Sequence, residues 1–363
     1  MGRFVQHLDI TLTFFLLAIG CFGLGIILTI QTGLFFQQLG FFVVGLILLV
    51  LTAAIDSTVL YAFSPFLYIL GVLFLSLSYI GPNIRGATRW IMVGGNQLQP
   101  SELVKPLMLL GFSYFISKYP PRTAKNIALH CFLFLIPFFL IFRQPDLGSA
   151  IVYTVLWVSM LVAGGLPIPL LVGSGIGAAL LAPFFWHILA PYQQSRILTF
   201  LSPASDPGGE GYNALQSMIA VGSGQFFGKG LGLGTQSHLR FLPEYHTDFI
   251  FGTLVEELGF VGGTMLLFLY ALVLWRIIVP FIKQQISSSF VFIYATGLLF
   301  MMLSQITINT GMNMGLVPIT GITLPLVSYG GSSLLSVLTS FGIFMAIKHG
   351  SDRQGSVAID SIP

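Results

Sequence analysis

Charge is what this sequence lacks most. Only 7% of its 363 residues are Asp, Glu, Lys or Arg, against about 25% in soluble domains, so a water-soluble globular fold is excluded. Cysteine is nearly as scarce: Cys21 and Cys131 lie in separate apolar runs, which argues against a disulfide or a thiolate metal site. Cys21 follows "AIG", as in a lipoprotein cleavage box, but the apolar run continues to Ile30 and many spans follow, which favours an uncleaved first helix. A net charge of +3, carried by scattered basic residues, makes nucleic acid an unsuitable partner. Room between apolar blocks is also short, since links such as "GGLP" (164–167) cannot hold a soluble domain.

What is present is apolar: 55% of the residues, with a mean hydropathy of +0.91. The blocks approach the roughly 20 residues that one bilayer-crossing helix needs. The chain therefore reads as an all-α polytopic membrane protein with about ten transmembrane helices, near 10–30, 37–54, 65–80, 103–116, 127–142, 147–163, 167–190, 249–279, 287–309 and 324–347. The fourth and sixth are short and flanked by charge. One long extracytoplasmic loop, 191–247, separates spans 7 and 8, and its stretch "ALQSMIAVGSGQFFG" is apolar enough to lie along or dip into the membrane. A single transmembrane domain is expected over 1–350, followed by a disordered cytoplasmic tail, 351–363.

An even number of spans puts both termini on one side. Arg3, Lys118, Arg122, Lys125, Arg276, Lys283, Lys348 and Arg353 share that side, which the positive-inside rule makes cytoplasmic. The opposite side collects Glu102, Asp146, Asp206, Glu210, Glu244 and Asp248 together with Arg85, Arg89, Arg143, Arg196, Lys229 and Arg240. A chain that avoids charge elsewhere concentrates both signs there, so function is expected on the outer face.

Several motifs stand on that face. "GKGLGLGTQ" (228–236) lacks the βαβ setting of a dinucleotide loop and the spacing of a P-loop. It remains either an ordinary membrane loop with a solvated lysine or a set of N–H groups that, with Lys229, can meet an anion. In "QPSELVKP" (99–106), Ser101 suits an N-cap, and Glu102 and Lys105 share a helix face, as a snorkelling ion pair or as the lining of a polar cavity. "RQPDLGS" (143–149) reads as a capped turn around Asp146. The glycines and prolines of "NTGMNMGLVPITGITLPLVSYGGSSLL" (309–335) interrupt regular helix, which a membrane tolerates against protein or a wet cavity, where Ser328 and Tyr329 would offer hydroxyls. "FLPEYHTDFIF" (241–251) is the densest cluster, with Glu244, His246 and Asp248 beside one another. Thr247 or Asp248 would cap a helix starting at Phe249; a carboxylate at a cavity mouth would equally serve as general base. The Glu-x-His-x-Asp pattern also admits a metal site, with Asp248 as a ligand, but is too generic to identify one.

Together, "RW…QPSELVK", "QPDLGS", "LPLVSYGGSSLL" and the loop from "RILTFLSPASDPGGEGYNALQ" through "GKGLGLGTQSHLRFLPEYHTDFIFGTLVEELG" resemble, in order, the signatures of the SEDS family (shape, elongation, division and sporulation). The resemblance spans nearly the whole chain, ten spans fit the family's fold, and "QPDLG" and "GTQS…FLPE" lean towards its elongation branch over its division branch. Tyr245 and Arg240 depart from the usual pattern, which touches local contacts rather than activity.

The resemblance implies a peptidoglycan glycosyltransferase that polymerises lipid II into β-1,4-linked glycan outside the bacterial cytoplasmic membrane and releases undecaprenyl pyrophosphate. It implies Asp248 as the catalytic acid of "HTDF". Glu102, Lys105, Arg196 and Lys229 follow as cavity or substrate contacts, as do Glu244, His246 and Ser328. A divalent cation, Mg2+ or Mn2+, is left open. A class B penicillin-binding protein and the cell-elongation machinery are the implied partners. Two other classes stand beside this one: a lipid II flippase, which would also use charge in a membrane cavity, and a scaffold of the cell-wall machinery, which would tolerate loss of Asp248.

Overall fold

Apolar residues on every face of a segment force it either into lipid or into a protein interior, and this chain uses both. The computed structural model describes residues 8–81, 89–187, 189, 191–202, 209–284, 286 and 288–360. Three helices open the chain: α1 (Ile10–Ile30), α2 (Thr32–Ala53) and α3 (Ser57–Leu77). A two-stranded hairpin, β1 (Ile91–Val93) and β2 (Asn96–Leu98), precedes the single turn α4 (Pro100–Leu103). Then follow α5 (Lys105–Lys118), α6 (Ala124–Phe142), α7 (Leu147–Ala163) and α8 (Ile168–Trp186). The long connection holds α9 (Pro191–Leu201), α10 (Glu210–Ser223) and α11 (Thr235–His238). The last helices are α12 (Ile250–Ile282), α13 (Ser289–Asn313) and α14 (Gly331–Asp360).

Seven of these helices are long and apolar enough to cross a membrane, and α7 and the Ile168–Leu181 part of α8 are shorter apolar helices. With α5 they make ten passes among the described residues, so the chain is an integral membrane protein. At 14 residues α5 is about 21 Å long, well short of a hydrocarbon core of about 30 Å. It tolerates this because Met108, Leu109, Leu110 and Phe112 are buried by neighbours rather than by lipid.

The centre of the bundle is α14, 83% buried over its membrane window, and α13, 61% buried; the other long spans fall between 22% and 44%. That enclosure explains why α14 carries Ser332, Ser333, Ser336 and Ser340: small residues let backbones approach closely. A Cβ at Gly342 would lie 2.5 Å from the Leu49 carbonyl of α2, so only glycine permits that contact.

Several expected boundaries differ by four or five residues, as at Thr32, Trp186 and Asn313, and two differ by more. Pro65 does not start the third span: α3 begins at Ser57, capped by Asp56 on the Thr58 N–H (2.8 Å), and runs through the proline. The tenth span starts at Gly331 rather than 324, because 314–330 is irregular chain carrying Pro318 and Pro325. The backbone of α14 continues through 351–360, where a disordered tail was expected; 361–363, Arg3, Arg85 and Asp206 lie outside the described residues. Helix α10 packs on α12, with Ala220 and Ser217 buried and Phe226 and Phe227 exposed just beyond.

The two chain ends of the bundle meet. Asp9 caps α1 through the Leu12 N–H (3.1 Å) and pairs with Arg276 (3.1 Å) and Lys348 (3.0 Å), joining α1, α12 and α14. The long connection and the 314–330 segment sit at the other end, called here the loop end.

Candidate active site

The cavity at the loop end is a consequence of chain that cannot be helical. Its volume is about 460 Å3. Glu102, Glu244 and Asp248 line it, as do His246, Arg89, Trp90 and the amides Gln37, Gln97 and Gln99; Tyr329, Ser332 and Ser333 add hydroxyls.

Asp248 stands in a non-helical turn, and its backbone bonds can be accounted for one by one. Glu244 adopts φ +51°, and its carbonyl accepts from the N–H groups of Thr247 (3.1 Å) and Phe249 (3.2 Å). The Tyr245 carbonyl accepts from Thr253 Oγ1 (3.2 Å), and that of His246 from the Tyr329 N–H (2.8 Å). The Thr247 carbonyl accepts from Ser328 Oγ (2.6 Å), and that of Asp248 from Asn309 Nδ2 (2.9 Å) and Asn313 Nδ2 (3.1 Å). Three successive carbonyls are thus held by α13 and the segment after it. Helix α12 starts only at Ile250, with Phe249 at the cap position and no side-chain cap, so neither Thr247 nor Asp248 caps it. Thr247 Oγ1 instead donates to the Glu244 carboxylate (3.2 Å). Beside the acid lies Gly321, φ +73°, where a Cβ would come 3.5 Å from Asp248 Oδ2. Glycine there meets the positive φ and leaves the carboxylate open to the cavity.

The cavity floor is a second network. Lys105 Nζ donates to Glu102 Oε1 at 2.5 Å, and both side chains are buried. Glu102 Oε2 is buried without a hydrogen-bond partner; Glu102 lines the cavity and Lys105 does not. Asp146 caps α7 on the Ser149 N–H (3.1 Å), as a capped turn requires, yet its other oxygen accepts from Gln99 (2.6 Å) and Ser101 (3.1 Å). Ser101 is therefore an interior partner of Asp146 and not the expected N-cap, a position Gln99 takes. Arg89 Nη1 stands 4.0 Å from Asp146 Oδ1, its guanidinium 5.8 Å from the Trp90 ring centroid, and its Nε has no hydrogen-bond partner. Burial raises the Tyr329 hydroxyl's pKa, which keeps the proton it donates to Gln37 (2.6 Å).

Four expected site residues do not line the cavity: Lys105 is buried against Glu102, and three more are placed elsewhere. Ser328 is buried, its hydroxyl used on the Thr247 carbonyl and the Leu324 N–H (2.8 Å), so it holds backbone rather than facing the cavity. Arg196 lines a small separate pocket with Thr199, Met218 and Pro318. Lys229 pairs with Glu256 of α12 at 2.7 Å and with Thr235 at 2.8 Å.

The glycine-rich loop around Lys229 is an interlock with a broken helix. Gly259, φ +70°, interrupts α12. The freed amides of Phe260 and Val261 donate to the carbonyls of Gln225 (2.8 Å) and Phe226 (3.1 Å). In return the amides of Lys229 and Gly230 donate to the carbonyls of Glu256 (2.9 Å) and Glu257 (3.0 Å). Glu256 accepts further bonds from the Thr235 and Gln236 N–H groups (2.9 and 3.1 Å), and Glu257 from His238 (3.0 Å) and Thr29 (3.0 Å). The sequence reading passed over this pair; adjacent acids inside an apolar helix were the available signal. Equally missed were Asn309 and Asn313, whose spacing of four places both amides on one helix face.

Among the described residues no three His, Cys, Asp or Glu side chains come together as a metal-ligand group. Both cysteines are free thiols.

An integral membrane protein of ten passes with an acid-lined cavity at one end is the class that fold and site define. The family described as Cell cycle protein (FTSW_RODA_SPOVE) matches residues 10–353. The peptidoglycan glycosyltransferase MrdB of Escherichia coli K12 is 38% identical over 94% of this chain and 93% of its own. Stage V sporulation protein E of Bacillus subtilis is 39% identical over 74% of this chain and 73% of its own. Among solved structures, a chain from a study of how a peptidoglycan synthase complex coordinates polymerization and crosslinking superposes with TM-score 0.81 at 30% identity, covering 94% of this chain and 97% of that one. The Rod shape determining protein RodA of Thermus thermophilus gives 0.72 at 28% identity, covering 94% and 97%. The chain belongs to the FtsW/RodA/SpoVE family, the SEDS family of the sequence resemblance.

Proposed function

We propose that the cavity polymerises lipid II, with Asp248 as general base; the observation that carries this is an acid held in a non-helical turn with its carboxylate open to the cavity. The chain is a peptidoglycan glycosyltransferase, and its greater identity to MrdB, 38% over 94% of the chain, than to an FtsW of Thioalkalivibrio sulfidiphilus, 33% over 99%, favours the elongation role over division. Asp248 accepts the proton of the acceptor sugar's 4-hydroxyl as that oxygen attacks the anomeric carbon of the donor's MurNAc. The new C–O bond forms with inversion as the bond to the pyrophosphate oxygen breaks, and undecaprenyl pyrophosphate leaves. Among the described residues Arg89 is the arginine that lines the cavity, and it meets the developing negative charge in place of Arg196, which lines another pocket, and Lys229, which pairs with Glu256. Glu102 and Glu244 offer carboxylates to sugar hydroxyls, and Lys105 holds Glu102 in place through its hydrogen bond.

The loop end then faces outward. Asp9, Arg276 and Lys348 meet at the opposite end, and Lys118, Arg122, Lys125 and Lys283 follow helices that end or begin there, the positive-inside pattern for a cytoplasmic face in a bacterial membrane. A class B penicillin-binding protein is the partner, in line with the synthase complex from which one structural neighbour comes.

Purified protein supplied with lipid II, with and without chelator and partner, tests the reading. Glycan strands from the wild type and none from Asp248→Asn are expected. Strands from both would remove Asp248 as base, and strands from neither, with the partner present, would return the field to a lipid II flippase.

A further inference from the structure

The Asp248 carbonyl is a peculiar place to spend two buried amides. Asn309 and Asn313 are completely buried in the last turns of α13, and both donate Nδ2 to that one oxygen, at 2.9 and 3.1 Å, using both its lone pairs. Their orientation follows from the surroundings. Asn313 Oδ1 accepts from the Gly252 N–H (3.0 Å) and Ser217 Oγ (2.9 Å), while its Nδ2 also meets the Asn309 carbonyl (2.8 Å). Turning that amide over would put acceptor against acceptor. Asn309 Nδ2 also reaches the Ile322 carbonyl (2.7 Å), next to Gly321, which borders the carboxylate. One residue earlier, Ser328 Oγ takes the Thr247 carbonyl at 2.6 Å.

A helix would hold Asp248 through its own ladder, but α12 has not begun there. The position of the acid's Cα is set instead by donors from α13 and the 314–330 segment. None of the three side chains lines the cavity, so whatever they do for the reaction they do through the main chain.

We infer that Asn309, Asn313 and Ser328 form a main-chain clamp that positions the Asp248 carboxylate for proton abstraction. They are positioning residues, not catalytic ones. Asn313 also ties α10, through Ser217, to the same clamp, so the placement of the loop helix is felt at the acid. The inference rests on Asp248 being the base. Removing a clamp donor leaves a buried carbonyl short of a partner and frees the turn to shift, and a shift of about 1 Å at a reacting group costs roughly 100-fold in rate.

The test is steady-state kinetics on the purified full chain with lipid II, comparing Asn309→Ala, Asn313→Ala and Ser328→Ala with the wild type and Asp248→Asn. Expected for each asparagine variant is a kcat fall of about 10- to 100-fold with KM within about twofold, the split that marks an interaction used only in the transition state. Because both amides hold one oxygen, the double asparagine variant should lose less than the product of the single losses. Should an asparagine variant fail to fold, Ser328→Ala, which frees the Thr247 carbonyl, carries the test with a smaller kcat loss at unchanged KM. Wild-type kcat in the folded variants, or a raised KM at wild-type kcat, overturns the clamp. Full turnover by Asp248→Asn overturns the base reading instead, so the two failures are told apart.

Discussion

Asp248 and Glu256 are eight residues apart, one just before α12 and one in its second turn, yet the protein treats them in opposite ways. Glu256 is completely buried and receives Lys229 Nζ, two backbone N–H groups and the Thr235 hydroxyl. Its carboxylate is filled with donors and has no capacity left for a substrate. Asp248 lines the cavity, and Glu256 does not. Buried charge is tolerated only when paired and hydrogen-bonded, so Glu256 is an anchor, whereas Asp248 stands where a substrate can reach it. Position at the cavity, not charge, separates the anchor from the proposed base.

The largest effect that would sharpen the comparison is at Asp248. Asp248→Asn should lose all detectable glycan synthesis while its thermal unfolding midpoint stays within a degree or two of the wild type's. A stability loss as large as that of a Glu256 variant would make the two acids the same kind of residue.

The mirror experiment comes next. Glu256→Ala strips Lys229 and the 228–236 loop of their anchor; removing one partner of a fully buried pair costs about 3–5 kcal/mol, and less is expected here because Lys229 is 28% exposed. Expected are a much lower thermal midpoint and faster proteolysis within the loop. Turnover per folded molecule, measured below the new midpoint, should stay within a few-fold of wild type. A kcat collapse at full stability would move Glu256 into the chemistry and dissolve the contrast.

The sequence let the outline be read better than the roles. Spans whose limits are set by hydropathy alone, such as 10–30 and 147–163, coincide with α1 and α7. Pro65 and the 324 boundary misled because a proline inside a buried helix and an irregular segment inside a membrane look alike until neighbours satisfy their backbone groups. Among the acids, Asp248, Glu244 and Glu102 were marked and do line one cavity. Lys229 and Arg196 carry the same charge as Arg89, and nothing local reveals that one pairs with a buried Glu while another faces a cavity. Asn309 and Asn313 carry no charge and drew no notice, though two amides four apart in an apolar helix are costly enough to need partners.

Arg89 gives a smaller, intermediate effect. Among the described residues it stands 4.0 Å from Asp146 with its Nε unpartnered, and it lines the same cavity as Asp248. Arg89→Ala should reduce kcat/KM about 100-fold, the lower end of the range for one lost electrostatic donor, and Arg89→Lys should restore part of it, since a point charge replaces a forked one. Equal loss in both variants would mean that the planar group and its stacking on Trp90 matter more than charge. No loss in either would remove Arg89 from the proposed chemistry.

The smallest effect is expected at the far end, where Asp9 is a third, filled acid. Burial pushes its pKa up, but Lys348, the Leu12 N–H and Arg276 outweigh it and hold the carboxyl below its ordinary value of 3.8. A carboxylate with a depressed folded pKa contributes stability that is present above the unfolded value and lost as pH falls through the folded one. The Asp9 contribution should therefore be whole at neutral pH and fade only below about pH 4. Asp9→Asn should lower the thermal midpoint slightly at pH 7, because Arg276 is about one-third exposed and its pairing is screened. The difference from wild type should shrink as acid neutralises the native carboxylate, and glycan synthesis at pH 7 should be untouched. A loss of synthesis there would show that the clasp of α1, α12 and α14 is felt at the cavity across the bundle, and the separation between anchoring and reacting acids would no longer be local.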